Sequence, residues 1–469
     1  MDPSFRNPPS LTELLESPPL RALVDRVNRN VVVAAARGLL ENFRTEIQAA
    51  GAEVRVPTPT EFAERVASWI LSSESARVHA VINATGILLP QGLGRAPLAD
   101  AAVQEMVRVS ACYADLSRAT HRDTSREGTD HVLTDVERLL RELTQAETAL
   151  VTANYASALW LTLAAIAAPR QVIAARGELG ELHEQVRIAD LIRGSGALLQ
   201  EVGSVNAIRR ADYQKAFSSD TAALLRTEVT GFEIAGSTES VALSDLVTLA
   251  REHAVPLIDN LPMGALLPTT RFGLAHQTTV TQSLRAGTDL VILSGDLLLG
   301  GPPCGIILGR RNWVQRIASH PLATITTPGK LTVSALTATL RLYLDESRAE
   351  REIPVLSLLT TPLENLRNRA ERLAPQLQAT RAVTLAQPVE EKAFLTDSRC
   401  PRDALPTWAI RITPAVGEVT AFAARLRDEA GMLARVRAQD LLLDLRTVFP
   451  RQDTHLVAAF EAIGKGLAT

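Results

Sequence analysis

Residues 147–175 read ETALVTANYASALWLTLAAIAAPRQVIAA. Thr148–Thr152 and Gln171–Ala175 are short apolar runs of strand length. Between them, Tyr155–Ala168 carries apolar residues at helical spacing. The same alternation continues down the chain. Ala197–Val202, Ala222–Thr227, Val255–Asp259, Asp289–Ser294 and Gly305–Gly309 are strand-like, and Leu133–Leu143, His183–Arg193 and Leu243–His253 are amphipathic and helical. Alternating strand and helix predicts an α/β fold with a mostly parallel sheet covered on both faces. Such sheets bind ligands beyond the carboxyl ends of their strands. The loops after Asp259 and Ser294 are therefore the places to look for a site.

Upstream, residues 1–80 read as a small all-helical domain. Leu11–Leu15, Pro19–Ala36 and Arg37–Ala50 have i, i+3, i+4 apolar spacing. A Pro/Thr linker, Val54–Thr60, follows, with Thr60 expected to cap a helix reaching Ser72. Downstream, one long helical stretch is expected from Lys330 to Ala374. The tail mixes strands (Trp408–Ile412, Asp440–Leu445) with helices (Val419–Ala430, Gln452–Ile463) and reads as α+β. The expected domains are 1–80, 81–345 and 346–469.

Composition narrows the function. At 469 residues the chain exceeds one ordinary domain of roughly 100–200 residues. With 46% apolar and 22% charged residues it can bury a sizeable core. The net charge of −3 does not announce a nucleic-acid binder. No apolar run is long enough to cross a bilayer, and MDPSFRNPPS lacks a signal-peptide pattern, so a cytoplasmic protein is expected. Three cysteines (Cys112, Cys304, Cys400) exclude a disulfide framework, and the eight histidines show no metal-ligand pairing. Only four residues, Lys215, Lys330, Lys392 and Lys465, offer a lysine amine.

No phosphate-binding glycine loop of nucleotide type is present. Other strings carry information. Val81-Ile-Asn-Ala-Thr-Gly86 leads to Leu93-Gly-Arg-Ala96. Arg176-Gly-Glu-Leu179 precedes Arg187-Ile-Ala-Asp190 and Glu201-Val-Gly203. Ser294-Gly-Asp296 leads to Leu299-Gly-Gly-Pro302, and Leu405-Pro-Thr-Trp408 and Leu443-Asp-Leu-Arg-Thr-Val448 lie near the end. In this order they resemble the bacterial selenocysteine synthases, the L-seryl-tRNA(Sec) selenium transferases, over essentially the whole chain. The resemblance implies a fold-type-I pyridoxal-phosphate transferase, aspartate-aminotransferase-like, built as a homo-oligomer of dimers. It also implies conversion of seryl-tRNA(Sec) to selenocysteinyl-tRNA(Sec) with selenophosphate, and an N-terminal domain that grips tRNA.

Several positions depart from that pattern. The family's Schiff-base lysine follows Ser-Gly-Asp directly; here Leu297 follows Asp296, and Lys330 matches a family lysine elsewhere. The aspartate that pairs with the pyridinium nitrogen is replaced by Asn260. Asp259 is adjacent, but one step along a strand faces the opposite side. The family's Asn-Asn-Asn is Ala153-Asn154-Tyr155, its His-Thr-Asn is Pro90-Gln-Gly92, its strand-end histidine is Glu228, and two loop arginines are Thr324 and Thr327. The expected pocket is a degenerate one lined by Asn154, Tyr155, Glu228, Asp259, Asn260, Ser294, Asp296 and Leu297, with pyridoxal phosphate not covalently held and no catalytic residue assigned.

These losses predict a non-catalytic binding or regulatory paralogue. The alternatives are an active selenium transferase, or a new pyridoxal-independent enzyme in the same cleft. For the last, Asp296, Glu228 and Asp259 would supply acid/base groups, or Cys304 a thiol; the plainer reading is loop carboxylates and a small buried cysteine. His183 reads as a helix-surface residue. Arg26, Arg37 and Arg44 are candidate phosphate contacts, but residues 1–80 hold nine arginines against ten acids, which argues against tight tRNA binding. The expected partner is a second copy of the chain, with a catalytically intact paralogue as a further candidate.

Overall fold

The computed structural model describes residues 9–24, 29–50, 57–74, 78–114, 134–183, 186–229, 234, 236–397 and 404–466. The chain divides into two compact units, Met1–Val81 and Ile82–Thr469.

The first unit contains helices Leu11–Glu16, Pro18–Val24, Arg29–Ala50 and Pro59–Glu74. Arg29–Ala50 runs unbroken through position 37, where two helical stretches were expected. The last helix starts one residue before the expected Thr60 cap. Thr58 is the cap instead: its hydroxyl accepts from the Glu61 N–H, and Glu61 accepts from the Thr58 N–H at 2.8 Å. Pro59 then fills the first helical position, where its missing N–H costs nothing. Leu14, Leu20, Val32, Ala36, Leu40, Phe62, Val66 and Ile70 form the core, with Phe43 edge-on to Phe62.

The strands of the second unit are β1 Ile82–Ala84, β2 Ile87–Leu89, β3 Thr148–Thr152, β4 Gln171–Ala175, β5 Glu181–His183, β6 Val186–Arg187, β7 Leu198–Val202, β8 Thr221–Thr227, β9 Leu257–Asn260, β10 Leu290–Ser294, β11 Gly305–Gly309, β12 Val383–Thr396, β13 Ala404–Pro414, β14 Met432–Arg437 and β15 Asp440–Asp444. Seven form one sheet in the order β3-β11-β10-β9-β8-β4-β7. It is parallel from β10 to β7, and β11 runs antiparallel to both β10 and β3. His183 ends β5, which pairs with β6, rather than opening a helix; the helix there begins at Ile188.

Side-chain alternation sorts the residues of this sheet onto two faces. Val172, Ala174, Ala223, Leu225, Ile258, Leu290 and Ile292 pack with helices Tyr155–Ile166, Ile188–Gly194 and Arg311–Ala318. Ile173, Leu224 and Leu257 pack with helix Leu243–Glu252, and Val291, Leu293 and Ile306 with helix Thr134–Thr144. Buried on both faces, the strands are continuous apolar runs, which makes them legible in the sequence.

The second sheet has the order β1-β14-β15-β13-β12-β2. Its two edge strands come from residues 82–89 and its four inner strands from 383–444. Helices Leu363–Gln378, Val419–Ala430 and Asp453–Gly466 cover it. The stretch expected as one helix from Lys330 is four: Lys330–Leu342, Glu346–Glu352, Pro354–Thr360 and Leu363–Gln378. Pro354 and Pro362 each push the preceding residue out of the α region, and Ile353 and Thr361 are extended or irregular there.

Candidate functional site

The expected pocket residues near the carboxyl ends of β8, β9 and β10 fall into separate groups. Asn260 ends β9 and is fully buried. Its Oδ1 accepts a hydrogen bond of 2.9 Å from the hydroxyl of Tyr155, the first residue of the helix after β3. Among the described residues, Nδ2 of Asn260 has no hydrogen-bond partner. Tyr155 is 8% exposed, and burial raises its pKa well above the usual tyrosine range, against the Asn260 bond and the nearby Arg95 cation. The phenol is thus a fixed donor. Asn154 is exposed and spends its side chain as a cap, accepting from the Ser157 N–H at 2.8 Å.

Asp259 points the other way. Its register partner on β8 is Arg226, whose guanidinium donates to Oδ1 at 2.7 Å; the Ser283 hydroxyl donates to Oδ2. Burial pushes the Asp259 carboxyl up, against Arg226 and Ser283. Around this pair, Glu178 accepts the Thr227 N–H at 2.8 Å and Glu228 accepts the Thr278 N–H at 3.1 Å. Burial pushes Glu178 up to about 7.

Asp296, beyond β10, belongs to neither group. It accepts from the Ser294 hydroxyl and pairs with Arg95 at 3.2 Å. Arg95 has a positive φ of 62° in the tight 90–95 turn that aims it there. The three carboxylates weighed as one acid/base group are therefore split: Asp259 and Glu228 lie around Arg226, while Asp296 is held by Ser294 and Arg95.

Leu297 follows Asp296 and is partly buried against the apolar cluster that contains Leu261, Met263, Leu298 and Leu299. Its carbonyl accepts the Gly300 N–H at 2.9 Å, and the Leu298 N–H reaches Met263 O at 3.0 Å. Cys304 is 1% exposed, and burial, then Asp296, raise its thiol above the usual range. It is a buried apolar group and not a thiolate. Of the lysines, Lys330 donates to Cys112 O at 2.6 Å, at the end of helix Asp100–Ser110. Lys215, Lys392 and Lys465 lie in helix Arg210–Ala216, β12 and helix Asp453–Gly466. Arg37 is exposed on its helix; Arg26 and Cys400 lie outside the described residues, as do the side chains of His183 and Arg44. No group of three metal-ligating side chains occurs among the described residues.

Sequence reasoning did not pick out Arg226, Ser283, Thr278 or Arg95. Arg226 lies inside the strand-like run Ala222–Thr227 and Arg95 inside a quoted string, yet their partners are 33 and 201 residues away.

Comparisons with known proteins agree with this architecture. The family model for L-seryl-tRNA selenium transferase matches residues 81–449. The L-seryl-tRNA(Sec) selenium transferase of Carboxydothermus hydrogenoformans is 36% identical over 96% of this chain and 95% of its own. That of Alkaliphilus metalliredigens is 34% identical over 97% and 98%. Among solved structures, a D-glucosaminate-6-phosphate ammonia-lyase superposes with a TM-score of 0.57 at 19% identity, covering 84% of this chain and 97% of that one, which speaks to the fold. The fold is the fold-type-I pyridoxal-phosphate class expected from the sequence, and the chain belongs to the L-seryl-tRNA(Sec) selenium transferase family.

Proposed function

We propose that this family member makes no Schiff base with pyridoxal phosphate and serves as a non-catalytic binding or regulatory paralogue of its catalytic relatives. The observation that carries the reading is Leu297. A hydrocarbon side chain with no nitrogen, partly buried against an apolar cluster, follows Ser294-Gly-Asp296. The second support is Asn260. Its Oδ1 already accepts from Tyr155, and its remaining Nδ2 is a donor, which repels a pyridinium N–H. The residues present do not fit a covalently held, ring-protonated cofactor.

The test is an absorbance spectrum of the purified protein with and without pyridoxal phosphate, followed by borohydride reduction and peptide mapping. The expected result is free cofactor only and no reduced adduct on Lys215, Lys330, Lys392 or Lys465. A stoichiometric adduct on any one of them would restore the active-transferase reading that family membership favours.

We also propose a cytoplasmic homodimer, or a multiple of dimers, that forms without the cofactor and binds the selenocysteine tRNA weakly. No helix among the described residues is long and apolar enough to cross a membrane. Helix Asp100–Ser110 packs on helix Lys330–Leu342, and this pair leaves Val103, Val107 and Leu331 exposed, with Tyr113 just beyond. Exposed apolar groups of this kind mark association surfaces. The nine arginines and ten acids of residues 1–80 leave little net attraction for phosphates. Size exclusion with light scattering, run with and without the transcript, reads both. The expected species is a dimer or larger that does not shift with tRNA; a well-behaved monomer, or a stoichiometric tRNA complex with steep salt dependence, counts against the respective claim.

A further inference from the structure

We infer that the phenol ring of Tyr155 occupies the place that the pyridine ring takes in catalytic relatives, so that the chain fills its own cofactor slot. The inference rests on the proposed reading that positions 260 and 297 line the cofactor site. It goes beyond it by naming an internal occupant.

The geometry is specific. Tyr155 opens the helix that follows β3, on the sheet face that Asn260 shares, as the joint packing of Tyr155 and Ile258 requires. Its side chain spans from the amino end of that helix to the end of β9, where its hydroxyl meets residue 260. A ring nitrogen bearing hydrogen and a phenol hydroxyl are both donors at the tip of a flat six-membered ring, so both address the same acceptor. Here the phenol has taken it, inside a site where both partners are buried. The amino end of the helix is closely packed on β11: a Cβ on Gly305 would lie within 2.4–2.6 Å of Asn154 O, Thr152 Oγ1 and Ala158 Cβ. Leu297, packed on the neighbouring apolar cluster, offers no amine. The unpartnered Nδ2 of Asn260 is what this arrangement leaves over: the tyrosine has a single polar atom to offer.

A merely structural tyrosine would pack equally well but would not decide whether a pyridine ring enters. The probe is pyridoxine 5′-phosphate, whose alcohol replaces the aldehyde and which cannot form a Schiff base with any lysine. Titration calorimetry on full-length protein is expected to show no saturable binding to the native chain at millimolar probe. Tyr155→Ala and Tyr155→Asn are expected to bind it at least about tenfold more tightly. Tyr155→Phe keeps the ring and should stay closed, while melting below the native protein because Asn260 loses its donor. p-Cresol should raise the melting temperature of Tyr155→Ala and leave the native protein unchanged, since only the variant has a ring-sized space.

Tight binding of pyridoxine 5′-phosphate to the native protein would overturn the inference, as would equal binding to the native protein and every variant. If Tyr155→Ala fails to fold, the native protein, Tyr155→Phe and Tyr155→Asn still decide. Failure here is separable from failure of the proposed function, because a borohydride-reducible adduct requires the aldehyde that this probe lacks.

Discussion

Arg226→Ala is expected to destabilise the fold by about 3–5 kcal/mol, the range for breaking a buried ion pair from one side. Asp259 is fully buried and Arg226 is 18% exposed at the side chain, so little solvent is available to relieve the orphaned carboxylate. Removing both partners should cost less than removing the arginine alone, because Arg226→Ala with Asp259→Ala also removes the orphaned Asp259 carboxylate. The pH dependence gives the sign. Burial raises Asp259, and it raises Glu178 to about 7 against an ordinary value of 4.5, so between those two values the folded chain keeps the Glu178 proton more readily than the unfolded chain does. For such groups stability is greatest below the unfolded pKa and is lost as pH rises through the folded one. Without Arg226 the folded values climb further. The deficit of Arg226→Ala should therefore be largest above pH 7 and shrink toward about 4.5. Urea unfolding of the native and variant proteins across that range is the measurement. A deficit under about 1 kcal/mol, or one that grows on acidification, would show that the pair is solvated and the cluster only a surface network.

Legibility followed the physics of each element. β3, β4 and β11 lie where their apolar runs placed them, because strands buried on both faces leave unbroken runs bounded by turn residues. β1 and β2 were missed. Three-residue strands carry no period, and their place at the edges of a sheet otherwise built from residues 383–444 is a matter of tertiary pairing. The breaks in the helical stretch after Lys330 are marked in the sequence by Pro354 and Pro362, although the apolar spacing continues across both. At the site, each departure was visible singly: Tyr155, Asn260, Leu297, Glu228. What the chain could not show was who meets whom. Tyr155 and Asn260 are 105 residues apart, and their contact depends on β9 having a register that turns Asn260 toward one helix and Asp259 toward Arg226. A shift of one residue in that strand would exchange the two side chains and both partnerships.

That register also sets the order in which cofactor binding should return. Leu297→Lys alone restores an amine, yet it is expected to give only weak, loosely held pyridoxal phosphate, because the ring slot is closed and residue 260 offers no negative acceptor. From the sequence, adding Asn260→Asp should tighten the complex. With the Tyr155 hydroxyl 2.9 Å from Oδ1, the structure makes that second step conditional. A carboxylate at 260 accepts from the phenol in a charge-assisted bond, roughly twice as strong as the neutral one, and holds the slot shut more firmly. The gain should appear only when Tyr155→Asn accompanies it. Hydrogen bonds to charged groups contribute about 1.5–3 kcal/mol, so the triple variant should bind about 10–100-fold more tightly than Leu297→Lys with Tyr155→Asn and asparagine at 260. Spectrophotometric titration, with borohydride trapping at the introduced amine as the endpoint, distinguishes the steps. Full, tight occupancy of Leu297→Lys on its own would mean that neither Asn260 nor Tyr155 stands in the cofactor's way, and the pocket would have lost nothing but its nucleophile.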